Sequence, residues 1–304
     1  MAKYDRDGFR EALTGPFTSH SVFFNRDGSI DYQGLRNSID FVIDGGSRTI
    51  MLTYGNSLYS ILTDQEVADV TKAVVKHTAG RAMVIAAERQ WWTGKAVEFT
   101  RYAKEVGADM IMALPPNWGG SCTTETLVEH YTAVAEHLPL MVVTAAFSGI
   151  QGTGLNVLEI LRDKLPFLAV KDDICGAFAH KIGLLLYDKC VLVSGGMKEN
   201  HLNMHPYGCD GYLSTYIIFK PEIARQYWQA IKVNDFKKAV AVIAKYDNPF
   251  FSICSSFPGG SDAVIHAAIE VFGIAQRWRR KPYYSLNDQE MEKLTDFFRG
   301  LSLF

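Results

Sequence analysis

The sequence predicts a (β/α)8 TIM barrel followed by a C-terminal helical extension. Short apolar runs alternate with longer amphipathic segments, and the alternation repeats about every 25–30 residues. This pattern is typical of βαβ units and a parallel sheet. Eight such units fit into about 230 residues, which matches a closed barrel. A doubly wound sheet is the competing architecture, and periodicity alone does not exclude it. The first βα turn lacks a GxGxxG motif, which removes the usual dinucleotide-binding interpretation.

The predicted strands are apolar runs of five to seven residues, fairly rich in β-branched side chains. Such runs suit parallel strands that are buried on both faces. An eighth strand is placed near Leu13–Phe17, before the first helix. The seven runs cover residues 48–54, 82–88, 109–115, 140–145, 167–171, 190–195 and 211–215.

The segments between the strands predict helices, and several begin with recognisable caps. Thr63 is followed three residues later by Glu66, which is the spacing of a capping box. The predicted helices lie at 31–44, from Thr63, from Thr93 or Gly94 to near Gly107, from Thr123, and at 155–164, 175–187, 198–206, 220–232, 235–247, 261–273 and 288–300. Because no strand run follows Lys232, we predict a barrel domain at 1–232 and a helical extension at 233–304 that packs on it.

The composition is that of an ordinary globular protein. The chain has 304 residues, of which 48% are hydrophobic and 21% charged, and its formal net charge is −2. No basic excess favours nucleic acid as a partner. No apolar run approaches the roughly 20 residues that span a bilayer, and the charged N-terminus does not resemble a signal peptide. We therefore expect no membrane partner and a cytoplasmic location.

Lys171 is the strongest candidate for chemistry. In a barrel, reactive side chains collect at the C-terminal ends of the strands, and Lys171 directly follows the run Phe-Leu-Ala-Val. Strand alternation places it on the same face as Phe167 and Ala169. If that face is the barrel interior, burial favours the neutral amine, which can attack a ketone to form a Schiff base. The alternative is a lysine that pairs with Asp172 or Asp173 in solvent.

An ordered set of motifs then extends over nearly the whole chain. It resembles the dihydrodipicolinate synthase / N-acetylneuraminate lyase superfamily of class I aldolases. No single motif is specific, but their order is. The set comprises Pro16-Phe17, Asp27 to Asp31, Thr53 to Asn56 with Leu62-Thr63 and Glu66, Gly107 to Asp109, Thr153 to Leu155, Ala169 to Asp172, Ser194-Gly195, Gly211 to Ser214 and Arg280 to Pro282.

The resemblance implies a lyase, aldolase or dehydratase that acts on a 2-keto acid such as pyruvate or a 2-keto-3-deoxy sugar acid. The implied reaction requires no cofactor and no metal. The resemblance also implies a homo-oligomer, either a dimer or a tetramer. Lys171 would be the Schiff-base nucleophile and Tyr54 a second catalytic residue. The expected substrate-binding residues are Thr53, Gly55, Trp118, Thr144, Gly195 and Gly196, the two glycines leaving room for the keto acid.

Three departures from the family pattern limit this expectation. Pro116-Asn117-Trp118 offers no phenol where the family places its proton-relaying tyrosine, and Tyr54 replaces the second loop threonine. Residues 147–154 contain no arginine, which argues against synthase activity. Tyr54 either supplies the missing phenol or is a bulky pocket residue, and Trp118 either stacks over the substrate or seals the barrel mouth. The alternative function is a keto-acid-binding or regulatory barrel with weakened or no catalysis.

A metal-dependent aldolase is a third hypothesis. His201 and His205 are four residues apart and can share a helix face, as metal ligands do. The intervening Leu-Asn-Met supplies no base, so the pattern is not that of a zincin.

Overall fold

The protein is described by a computed structural model over residues 4–116 and 121–304. The strands are β1 (Gly15–Ser19), β2 (Thr49–Met51), β3 (Met83–Ala87), β4 (Met110–Ala113), β5 (Leu140–Val143), β6 (Leu168–Asp172), β7 (Val191–Ser194) and β8 (Gly211–Leu213). The α-helices are α1 (Arg6–Ala12), α2 (Tyr32–Asp44), α3 (Asp64–Thr78), α4 (Thr93–Val106), α5 (Thr124–Ala135), α6 (Gln151–Lys164), α7 (Gly176–Leu186), α8 (Met197–Met204), α9 (Pro221–Lys232), α10 (Phe236–Val242), α11 (Asn248–Cys254), α12 (Gly260–Val271) and α13 (Asp288–Gly300).

The eight strands form a closed parallel barrel in chain order, with β8 paired to β1. Each strand is followed in the sequence by a helix. Every residue of β2 to β7 is buried, as expected for parallel strands covered on both faces. The closed barrel confirms the predicted fold class and excludes the doubly wound sheet.

The local signals in the sequence place most elements correctly. Thr63 and Glu66 form the predicted capping box, with Thr63 Oγ1 accepting from the Glu66 backbone N–H at 3.2 Å. Helix α4 ends at Val106, and the cap residue Gly107 has a left-handed φ of 100°, which suits glycine. The first strand begins two residues later than predicted, at Gly15. In the part of the chain that the structure describes, none of the helices is long and apolar enough to cross a membrane.

The chain divides into two compact units. The first comprises the described residues of 1–19 and 48–213, and it contains the whole barrel sheet. The second comprises 20–47 and 214–304, with helices α2 and α9 to α13. Aromatic rings dominate the core of the second unit, where Phe250 lies 5.7 Å from Phe219 and 5.9 Å from Phe298 between ring centroids.

Two features of the second unit differ from the sequence prediction. The predicted helix at 235–247 is α-helical only to Val242 and continues as a π-helical segment, Ile243–Asp247. Helix α11 was not predicted, and it contains Pro249. The chain stays helical through Asp247, at φ −69° and ψ −49°, so Pro249 lies inside a continuous helical run, and its missing N–H removes one helical hydrogen bond directly after the π-helical segment. Helix α9 ends at Lys232. The predicted domain boundary between residues 232 and 233 stays a prediction, and so does the packing of the C-terminal extension on the barrel.

Candidate active site

Lys171 lies near the C-terminal end of β6 and is almost completely buried. Its side chain is 9% exposed. In the barrel register it lies between Val143 of β5 and Val193 of β7. Its side chain contributes to a cavity of about 290 Å³, close to the lower size limit of small-molecule sites. The cavity is lined by Ser19, Thr53, Tyr54, Gly55, Asn56, Met112, Leu114, Val143, Ala145, Lys171, Asp173, Gly195 and Leu213.

The Lys171 ammonium is paired with the carboxylate of Asp173. Nζ lies 2.5 Å from both Oδ1 and Oδ2, and the Asp173 side chain is 25% exposed. The sequence left open either a buried reactive lysine or a lysine paired with an aspartate in solvent. In the structure Lys171 is buried and is also paired with Asp173, and the ion pair lies in the cavity. The carboxylate offsets the loss of hydration that burial imposes on the ammonium.

Gly195 makes room for this carboxylate. A Cβ added at Gly195 would lie 1.6 Å from Asp173 Oδ1, a distance that real contacts do not reach. The space that a Gly195 side chain would need is therefore occupied by Asp173, while Gly195 itself lines the cavity. The predicted substrate-binding roles of Gly195 and Gly196 stay predictions. Gly196 is tightly packed as well, since an added Cβ would lie 2.4 Å from Cys175 Sγ and 2.7 Å from Asn200 Cβ.

Asp172 is fully buried and organises the backbone around Lys171. Its Oδ1 accepts from Thr144 Oγ1 at 2.9 Å, and its Oδ2 accepts from Asn200 Nδ2 at 3.0 Å. The same carboxylate accepts the backbone N–H groups of Ile174 and Cys175 at 3.2 Å. Asp172 thus fixes the turn that follows β6.

Thr144 contributes to this turn and is fully buried. Besides donating to Asp172, its Oγ1 accepts the backbone N–H of Asp173 at 2.9 Å. Strand β5 ends at Val143, and Thr144 begins a 3-10 helical turn, Thr144–Phe147. Val143 and Ala145 line the cavity, whereas the Thr144 hydroxyl bonds to Asp172 and Asp173. The predicted substrate-binding role of Thr144 stays a prediction, and its observed contacts position Asp172 and Asp173.

The loop after β2 supplies three of the predicted site residues. Thr53, Tyr54 and Gly55 all line the cavity with Lys171. Thr53 is buried, and its Oγ1 accepts the backbone N–H of Asn56 at 3.1 Å. Tyr54 is half-buried. Trp118 lies outside the described residues, so both interpretations of its role stay predictions.

His201 and His205, the candidate metal ligands, lie side by side with ring centroids 5.6 Å apart. Burial and the neighbouring His205 lower the pKa of His201 to about 3, and its ring packs 4.8 Å from that of Tyr212. No group of three or more histidine, cysteine, aspartate or glutamate side chains within 4–116 and 121–304 is arranged to hold a metal ion. His201 therefore packs between α8 and β8, and His205 is the first residue after α8.

Asp172, Asp173 and Asn200 were not predicted as site residues, although Asp172 and Asp173 were named as possible partners of Lys171. A signal for Asp173 was present, because alternation places it on the same face as Lys171, two residues away. The contacts of Asp172 with Asn200 join β6 to α8, and a single sequence does not reveal such a pairing.

A model of the dihydrodipicolinate synthetase family matches residues 12–299. The chain belongs to this family. The resemblance found in the sequence motifs is thereby confirmed, and the family comprises lyases and dehydratases, so the chain is an enzyme of the class I aldolase and lyase type.

Relatives within the dihydrodipicolinate synthetase family have different activities. A probable 5-dehydro-4-deoxyglucarate dehydratase 1 from Streptomyces coelicolor is 24% identical over 289 residues, covering 92% of this chain and 90% of the relative. A 4-hydroxy-tetrahydrodipicolinate synthase from Staphylococcus carnosus is 34% identical over 168 residues, covering 55% of this chain and 54% of the synthase.

Solved structures of family members share the fold. A prophage protein of the dihydrodipicolinic acid synthase family from E. coli K12, crystallised with pyruvate, superposes with a TM-score of 0.79 at 20% identity. The match covers 96% of this chain and 99% of that protein. At this identity the likeness establishes the barrel fold alone.

Proposed function

We propose that the protein is a Schiff-base lyase or dehydratase in which Lys171 forms an imine with a 2-keto acid. One observation carries the proposal: a buried lysine at the end of a barrel strand lines the same cavity as Thr53, Tyr54 and Gly55. The pyruvate bound to a structural relative supports a short 2-keto acid as ligand. The dehydratases among the relatives support a sugar-acid substrate.

The chemistry follows from the imine. Once Lys171 Nζ is joined to C2 of the keto acid, the protonated imine withdraws electrons, and a carbanion at C3 is stabilised as an enamine. Cleavage or dehydration next to C3 then becomes accessible. Thr53 binds the substrate carboxylate in this proposal, since its hydroxyl accepts from Asn56 and keeps its own hydrogen to donate.

We propose that synthase activity is absent. In the family resemblance, an arginine serves the dicarboxylate semialdehyde substrate of the synthase, and residues 147–154 contain none. A cytoplasmic location and a homo-oligomeric assembly complete the proposal, both by analogy with the family.

Borohydride trapping tests the imine directly. Incubation with pyruvate and borohydride, followed by peptide mass spectrometry, is expected to show a reduced adduct on Lys171. Lys171→Arg keeps the positive charge but cannot form the imine, and it should show no adduct. Failure to trap pyruvate or any other short 2-keto acid on the wild-type chain would reject the proposal.

The second candidate is a keto-acid-binding barrel without turnover, favoured by the missing phenol at residues 116–118. It predicts that pyruvate raises the melting temperature while 5-dehydro-4-deoxyglucarate and other 2-keto-3-deoxy sugar acids stay intact. Turnover of any of these acids that disappears in Lys171→Arg would reject this candidate.

A further inference from the structure

We infer that Asp173 is a catalytic residue, the proton-transfer group for imine formation at Lys171. The inference rests on the proposed function, because it assigns a step of that reaction. Its basis is direct contact with a reacting atom, since both Asp173 oxygens lie 2.5 Å from Lys171 Nζ. The amine must lose a proton before it can attack a ketone, and Asp173 is placed to accept that proton.

The surrounding chain holds Asp173 in this position from two sides. Its backbone N–H donates to Thr144 Oγ1 at 2.9 Å, which anchors the main chain. Its carboxylate rests against Gly195, where any side chain would collide with Oδ1. A carboxylate kept in place by a buried hydroxyl and a bare glycine is preorganised for proton transfer, as catalysis requires.

The proton balance of the step closes without another reactant. The Lys171 ammonium gives a proton to Asp173, and the free amine attacks C2 of the keto acid, forming the C–N bond while the carbonyl electrons move to oxygen. Asp173 returns its proton to that oxygen, which gives the carbinolamine. It then takes a second proton from nitrogen and delivers it to the hydroxyl, which leaves as water. The products are a protonated imine, water and the original Asp173 carboxylate.

This assignment also accounts for the departure at strand four. Among the described residues that line the cavity, Asp173 is the group in hydrogen-bond contact with Nζ. A carboxyl group can both accept and donate a proton, whereas the indole of the Pro116-Asn117-Trp118 segment only donates. Tyr54 then need not relay protons during imine formation, although it lines the same cavity.

The experiment measures the rate of imine formation by quenching enzyme–pyruvate mixtures with borohydride at increasing times. Asp173→Asn is nearly isosteric and keeps an acceptor oxygen, but it cannot carry the proton. We expect it to slow adduct formation on Lys171 by about 10²-fold or more, the usual size of an acid–base contribution. The matched control is Asp188→Asn, an exposed aspartate outside the site with left-handed backbone that asparagine tolerates. It should trap at the wild-type rate.

A second variant separates proton transfer from positioning. Asp173→Ala leaves space for a small acid, and added formate is expected to restore part of the trapping rate. Slow trapping in both Asp173 variants with no response to formate would mean that Asp173 only orients Lys171, and would overturn the inference. Asp173→Asn trapping at the wild-type rate would overturn it as well. A wild-type chain that forms no adduct rejects the proposed function itself, and this inference with it.

Discussion

Replacing Gly195 by alanine should displace the Asp173 carboxylate while both Lys171 and Asp173 remain unmutated. The added Cβ would lie 1.6 Å from Asp173 Oδ1 and 2.8 Å from its Cγ. Contacts of a Cβ below 3.0 Å essentially do not occur, so Oδ1 must retreat by about 1.4 Å. The backbone oxygen of Asp172, at 2.9 Å, leaves little room for Gly195 itself to move. The two-oxygen contact with Lys171 is therefore lost.

Two measurements follow from this displacement. Inserting one methyl group into a filled space typically costs about 1–3 kcal/mol, which we expect to see as a lower free energy of unfolding in urea. If Asp173 transfers the proton, borohydride trapping on Lys171 should slow by about 10²-fold, because the general acid–base group is no longer in contact. Gly152→Ala is the control, since an added Cβ at this exposed helical position meets no atom within 4 Å. It should trap normally and be slightly more stable.

Gly195→Ala with wild-type stability and wild-type trapping would refute this reasoning. That result would mean that the Asp173 carboxylate does not occupy the space beside Gly195. Lower stability with an unchanged trapping rate would support the contact between Gly195 and Asp173, but it would contradict the proton-transfer role of Asp173.

Three further predictions concern stability and specificity. Thr144→Val removes a hydroxyl that serves Asp172 and the Asp173 N–H, so urea titrations should show a loss of about 1–3 kcal/mol, while Thr144→Ser stays near wild type. Burial lowers the pKa of His201 from 6.5 to about 3, so the unfolded chain binds a proton below pH 6.5 that the folded chain excludes. Stability is thus lost as pH falls, and between pH 7 and 5 the wild type should lose about 2 kcal/mol more than His201→Gln; equal losses would contradict the assignment. Incubation with pyruvate and aspartate semialdehyde should give no dihydrodipicolinate-type product by chromatography. Detection of that product would reject the proposal that synthase activity is absent.

The barrel could be predicted because its signals are local and repeated. Each strand is a short apolar run, and several of the following helices begin with a side-chain cap, so the alternation is visible without knowledge of long-range contacts. Errors occur where tertiary context decides. Periodicity does not reveal the π-helical segment at Ile243–Asp247, and Pro249 alone does not tell whether the helix stops there or continues with a changed hydrogen-bond pattern.

The site was predicted less completely than the fold. A residue's place at the end of a strand does not show whether its side chain faces the cavity. Lys171, Thr53 and Tyr54 were selected and do line one cavity. Thr144 was selected because it lies near the C-terminal end of the predicted strand at 140–145, whereas β5 ends at Val143 and Thr144 begins a 3-10 helical turn. Applied to the end of β6, strand alternation would have placed Asp173 beside Lys171 in advance.

The steric exclusion between Gly195 and Asp173 has an evolutionary consequence. A side chain at the first position after β7 and an aspartate two positions after the lysine compete for one volume, so a lineage can acquire the aspartate only where the glycine is already present or arrives with it. The two positions should therefore co-vary across an alignment of the family. Genomes could be searched for this linked pair, which would separate members with a carboxylate at the lysine from those that rely on a phenol.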